Sequence, residues 1–98
     1  MKIVYRPFVR TDLIEAVSYY KAINPNLAKQ FLARIKEALA AIEKNPLHFS
    51  VKYAGKVRTI LLKQFPYYIH FYFNDADTIV IYAIIYAKKK PQIIPRDK

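Results

Sequence analysis

The sequence predicts an α+β fold of order β-α-α-β-β-β, a helical hairpin packed on one face of a largely antiparallel four-stranded sheet. Three observations carry this expectation. Residues 24–46 hold one apolar stripe at helical spacing, and the three runs after Gly55, the chain's one glycine, are rich in β-branched and aromatic residues. With 98 residues, 54% of them hydrophobic, the chain is long enough for one domain with a real core, residues 1–98, and too short for two.

The elements follow in order. "KIVYR" (2–6) sets Ile3 and Tyr5 against Lys2, Val4 and Arg6 and stops at Pro7, which reads as a short strand. Asp12 stands three residues before Glu15, the spacing of a capping box, and Leu13, Ala16, Val17 and Tyr20 recur at helical intervals, so a first helix is expected over about 12–22. A second begins with Asn24 as cap and Pro25 in the first turn. Its stripe runs through Ala28, Phe31, Ile35, Ala38, Leu39 and Ile42, and Asn45-Pro46 ends it. Residues 46–55 show no period and read as a connecting loop. Strands are then expected over 56–63, 67–74 and 78–86, separated by Gln64-Phe65-Pro66 and by Asp75-Ala76-Asp77, followed by a basic tail over 87–98.

A helical hairpin covers one face of such a sheet, yet both faces are greasy. Tyr67, Ile69, Phe71 and Phe73 alternate with Tyr68, His70 and Tyr72. In the last strand Ile79, Ile81, Ala83 and Ile85 alternate with Val80, Tyr82, Ile84 and Tyr86. The uncovered face, lined by Tyr68, Tyr72, Tyr82 and Ile84, is therefore expected to dock another chain or a polyanion. The other readings of the same surface are a homodimer interface and a face shielded by the tail.

Seventeen Lys and Arg against seven Asp and Glu give a net charge of +10, which suits a polyanion or an acidic protein segment as partner. Without cysteine there is no thiolate nucleophile and no disulfide framework, in keeping with a reducing cytoplasm, and no run of apolar residues approaches a membrane span. Two isolated histidines and no carboxylate cluster predict no metal and no cofactor. His70 shares a face with Tyr68 and Tyr72, either as a general base or as the hydrogen-bonded partner of a neighbouring tyrosine. Asp75 and Asp77 read as hairpin residues. Lys88, Lys89 and Lys90 read as a solvated edge or as a contact for phosphate or an acidic segment.

The succession "DLIEAVSYY", "AKQFLARIKEALAAIEKNP", "VRTILLKQFPYYIHFYF" and "IVIYAIIYAKKKP" resembles the RelE/ParE toxin superfamily of toxin–antitoxin systems over about residues 2–91. The resemblance implies a toxin held silent by a cognate antitoxin, which would cover the sheet face through Tyr68, Tyr72, Tyr82, Tyr86 and Lys88–Lys90. It also implies one of two targets. One branch of the superfamily poisons DNA gyrase without chemistry of its own; the other cuts mRNA in the ribosome. For the nuclease, the matching residues are Arg58, Lys89 or Lys88, and His70. Tyr68 stands where that branch presents an arginine, and no tyrosine follows Pro91, so the chain is closer to the ParE branch, although Tyr86 replaces the histidine usual there.

Overall fold

A computed structural model describes residues 1–87, so Lys88, Lys89 and Lys90 lie outside the described residues. The chain runs β1 (Lys2–Tyr5), α1 (Pro7–Ile23), α2 (Pro25–Lys44), a 3-10 turn at Pro46–His48, β2 (Val51–Tyr53), β3 (Val57–Leu61), β4 (Tyr67–Asp75) and β5 (Thr78–Tyr86). The sheet has five strands in the order β1-β5-β4-β3-β2, not four. The additional strand lies inside the expected loop. β2 is only three residues long, and its register against β3 shifts between Val51 and Tyr53, too short and irregular to leave a period in the sequence.

α2 starts as its sequence dictates. Asn24 Oδ1 accepts from Asn26 N at 2.8 Å, Pro25 fills the first turn, and Asn45 closes the helix with its N–H on Ala41 O. Ala28, Phe31, Ile35, Ala38 and Ile42 are buried against the sheet, as the stripe requires. Phe31 packs at 5.3 Å from both Phe65 and Tyr67, edge to face.

α1 departs from expectation at its start. It begins at Pro7 rather than near residue 12, with Arg6 in the cap position. Asp12 is not a cap: its side chain is buried, and Oδ2 accepts from Ile84 N at 3.2 Å. The reason lies in the sheet. β1 is parallel to β5 and pairs only as far as Tyr5 with Ile81, after which Arg6 N donates to Ile81 O and the chain turns into α1. β5 continues to Tyr86 with no strand on that side among the described residues, and Asp12 supplies the acceptor a longer β1 would have offered.

The alternation of β5 is broken at one residue. His70 pairs with Ala83 but Phe71 pairs with Ile81, so Tyr82 is the extra residue of a β-bulge. Beyond it the faces exchange. Ile84 pairs with Ile69 and Tyr86 with Tyr67, which puts both on the helix side, whereas Ile85 joins Tyr68 on the open side. Ile84, expected on the open face, is 6% exposed and part of the core. Asp75 Oδ1 accepts from Asp77 N at 2.9 Å, which shapes the hairpin as expected.

Asp12→Ala leaves a buried N–H without this acceptor and is expected to lower stability by about 1–3 kcal/mol, whereas Asp12→Asn, whose amide oxygen still accepts, loses less. Urea unfolding with unchanged slopes is the measurement; equal losses for the two variants would exclude the hydrogen bond as the cause.

Candidate functional site

The open face is built from alternate residues of β3, β4 and β5 with one contribution from β2. Thr59, Tyr68, His70 and Tyr72 share this side, joined by Tyr82 through the bulge, and the Tyr72 and Tyr82 rings meet edge to face at 6.2 Å. The three tyrosines expected here are all in place. Neither described helix covers them, yet the small residues between them are buried: Val57, Val80 and Ala83 are at most 6% exposed. Half-buried tyrosine rings beside them supply much of that cover, with Lys56 Nζ held 4.4 Å from the Tyr72 ring centroid.

His70 is 1% exposed, and its Nδ1 lies 2.9 Å from Tyr53 Oη. Burial pushes the imidazole pKa down to about 4, so the ring is neutral. Burial, with the Tyr82 phenol as a lesser contributor, pushes Tyr53 up to about 12, so that phenol is protonated. A protonated phenol and a neutral imidazole can share this hydrogen bond in either direction, with the tautomer setting which of the two donates and whether the remaining nitrogen, Nε2, is a donor or an acceptor. Nε2 has no hydrogen-bond partner among the described residues. His70, Tyr53, Thr59, Tyr68 and Lys52 line a cup of about 250 Å³.

Arg58 belongs to the opposite side. It pairs with Phe71 while Thr59 pairs with His70, and consecutive strand residues face opposite ways. Its Nη1 donates to Phe49 O at 2.6 Å, and the guanidinium carbon lies 5.9 Å from the Phe73 ring centroid. The structure therefore does not bring Arg58 and His70 to one phosphodiester, and Lys89 lies outside the described residues. Two groups on opposite faces of a sheet do not share a proton-transfer geometry.

A second concavity lies on the helix side, where the end of α1 meets the start of β4 and the end of β5. Tyr19, Tyr20, Ile23, Pro66, Tyr67 and Tyr86 line a cleft of about 420 Å³. Tyr20 and Tyr67 share a hydrogen bond at its base, and burial raises both phenol pKa values. The rim is open: Tyr19 is 61% exposed, Ile23 59% and Tyr86 40%. Sequence reasoning placed Tyr86 on the other face and missed Tyr19 and Ile23. The available signal was that Tyr19 is a large ring off the stripe of α1 and that Ile23 continues the stripe one residue past the expected end of the helix.

Among the described residues no group of three His, Asp or Glu side chains is arranged to hold a metal, and no helix is long and apolar enough to cross a membrane.

A helical hairpin on an antiparallel sheet with a parallel edge strand, carrying a tyrosine-lined face and an exposed apolar cleft, defines a small α+β domain. Residues 3–91 match the family profile described as the ParE toxin of type II toxin–antitoxin system, parDE. The chain belongs to this family of toxins, and an antitoxin partner follows from that membership. Among solved structures it is similar to a chain of the chromosomal ParDE toxin–antitoxin system from P. aeruginosa, with a TM-score of 0.73 and 21% identity over 86% of this chain and 92% of that one. Comparison with curated proteins finds no match.

The buried imidazole sets a pH dependence. His70 is neutral in the fold but regains ordinary basicity on unfolding, so below about pH 6.5 the unfolded chain binds the extra proton. The contribution is fully present above that pH and is lost as pH falls toward 4, by up to about 3 kcal/mol. Urea midpoints of the wild type and His70→Phe across this window check it: the difference between the two curves changes with pH if His70 is the titrating group and stays constant otherwise.

Proposed function

We propose that this toxin inhibits DNA gyrase as a binding poison, without cutting RNA, and is neutralised by an antitoxin that seats apolar side chains in the cleft between Tyr19, Ile23 and Tyr86. The placement of Arg58 and His70 on opposite faces carries the first part, because cleavage at a 2′-hydroxyl needs a proton acceptor and phosphate-stabilising cations on one side of the substrate. The resemblance to the ParE branch supplies the target.

The exposed rim supports the second part. Tyr19, Ile23 and Tyr86 form a contiguous apolar patch around a preformed cleft, the pattern of a site that a partner desolvates. The net charge of +10 favours an acidic antitoxin and speeds its encounter. Tyr68, Tyr72 and Tyr82, half-buried on the far side, are then left for the target, together with Lys88, Lys89 and Lys90 of the tail.

Controlled induction in a bacterial host, following labelled thymidine and labelled amino acid through the first minutes, tests the target. DNA synthesis is expected to fall first, with cleaved DNA accumulating on purified gyrase; an earlier fall in translation would assign the chain to mRNA cleavage. Ile23→Glu is expected to weaken antitoxin binding by about 2 kcal/mol or more, as for a central anchor, while Arg58→Ala leaves that binding unchanged. Isothermal titration of the purified partners reads both.

A further inference from the structure

We propose that the open sheet face binds single-stranded nucleic acid, with one base entering the cup above His70 and the adjoining phosphates meeting Lys52 and Lys56. This does not depend on gyrase being the target or on where the antitoxin docks.

The charge distribution argues for a polyanion on this face. Of the acidic residues, Asp12 is buried beneath α1, Glu15, Glu37 and Glu43 are on the helices, Asp75 and Asp77 form the hairpin tip, and Asp97 lies outside the described residues. None of the described residues on the open face is acidic. Two exposed lysines stand at its edge, Lys52 lining the cup and Lys56 held over Tyr72. An approaching phosphate thus meets cations with no carboxylate to repel it.

The cup argues for a base. Its walls include the rings of Tyr53 and Tyr68, which offer stacking surface to any nucleobase. His70 is almost completely buried, and the Nε2 that its bond to Tyr53 leaves over has no partner among the described residues. A buried ring nitrogen is costly to leave unpaired in either tautomer, and the edge of a nucleobase carries both donors and acceptors to meet it. At about 250 Å³ the space lies just below the range usual for small-molecule sites and suits one planar ring. A base held inside a duplex has no face to present to the cup, which selects a single strand.

Fluorescence anisotropy of the purified full chain with a labelled short oligothymidylate, its oligouridylate counterpart and a duplex of equal length tests this. Single strands are expected to bind more tightly than duplex. With two phosphate contacts, affinity falls about sevenfold between about 50 and 200 mM salt. Lys52→Ala reduces the logarithmic salt slope by about 0.7. Tyr68→Ala weakens binding by at least about fivefold, the loss of one stacking contact. His70→Phe weakens binding with the salt slope unchanged, and circular dichroism verifies that each variant is folded. The proposal is overturned if no oligonucleotide binds, or if duplex binds equally well and folded Tyr68→Ala is indistinguishable from wild type, since bulk charge alone then accounts for the affinity. Loss of antitoxin binding in Lys52→Ala and Tyr68→Ala with oligonucleotide affinity intact would put a protein on this face and overturn it equally.

Discussion

One extra residue in β5 governs how both faces of the sheet are composed. Without the bulge at Tyr82, alternation would carry Ile84 and Tyr86 to the open side and Ile85 into the core. With it, Ile84 pairs with Ile69 beneath the helices, and Tyr86 meets Tyr67 at a ring distance of 5.5 Å and enters the helix-side cleft. Tyr82 stays on the open face, where it meets Tyr72. Asp12 fastens the displaced segment, because the N–H it receives belongs to Ile84, two residues past the bulge. A buried carboxylate in α1 and an irregularity in β5 are thus two parts of one arrangement. The place of Asp12 follows from a β1 too short to accompany β5 to its end.

Much of the fold was legible because the relevant signals are local. Asn24, Pro25 and the stripe from Ala28 to Ile42 define α2 without reference to the rest of the chain, and Asp75 with Asp77 defines its own hairpin. Asp12 misled because its spacing to Glu15 imitates a cap, while its acceptor role depends on Ile84, far along the chain. The bulge was illegible for a related reason: the sequence alternates smoothly through Tyr82, and only pairing with β4 shows that one residue is surplus. β2 owes its strand character to β3 rather than to its own residues.

The candidate surfaces divide along the same line. Tyr68, His70 and Tyr72 lie within one regular strand, so their common face could be read directly. Tyr53, the partner of His70, sits in the short edge strand that resembled a loop, and its contact depends on tertiary pairing. The helix-side cleft required Tyr19 and Ile23 from α1 to meet Tyr67 and Tyr86 from the central strands, a juxtaposition that follows from the bulge and from the packing of α1 on β5. Arg58 and His70 looked like members of one site as long as only their residue types were considered. Register separates them.

The two sheet faces also differ in how completely they satisfy their own polar groups. On the helix side the buried polar group Asp12 is hydrogen-bonded, and Arg58, although its Nε is unpaired, places another guanidinium nitrogen on Phe49 O. On the open side the imidazole Nε2 of His70 has no partner among the described residues, and the bulge lies beside it, since His70 pairs with the residue following Tyr82. An unpaired buried polar group costs about 1–3 kcal/mol, and bulges are over-represented next to functional sites. On the open side that cost falls on a nearly fully buried ring beside a bulge, which marks a surface shaped for something other than stability. The helix-side cleft carries no such cost: its floor tyrosines bond each other, and only its rim is exposed. Apolar exposure is relieved by any complementary protein surface, whereas an unpaired buried nitrogen beneath aromatic rings is relieved only by a polar partner. The same small domain therefore presents two surfaces with different demands, which allows one to be occupied by an antitoxin while the other keeps its own specificity.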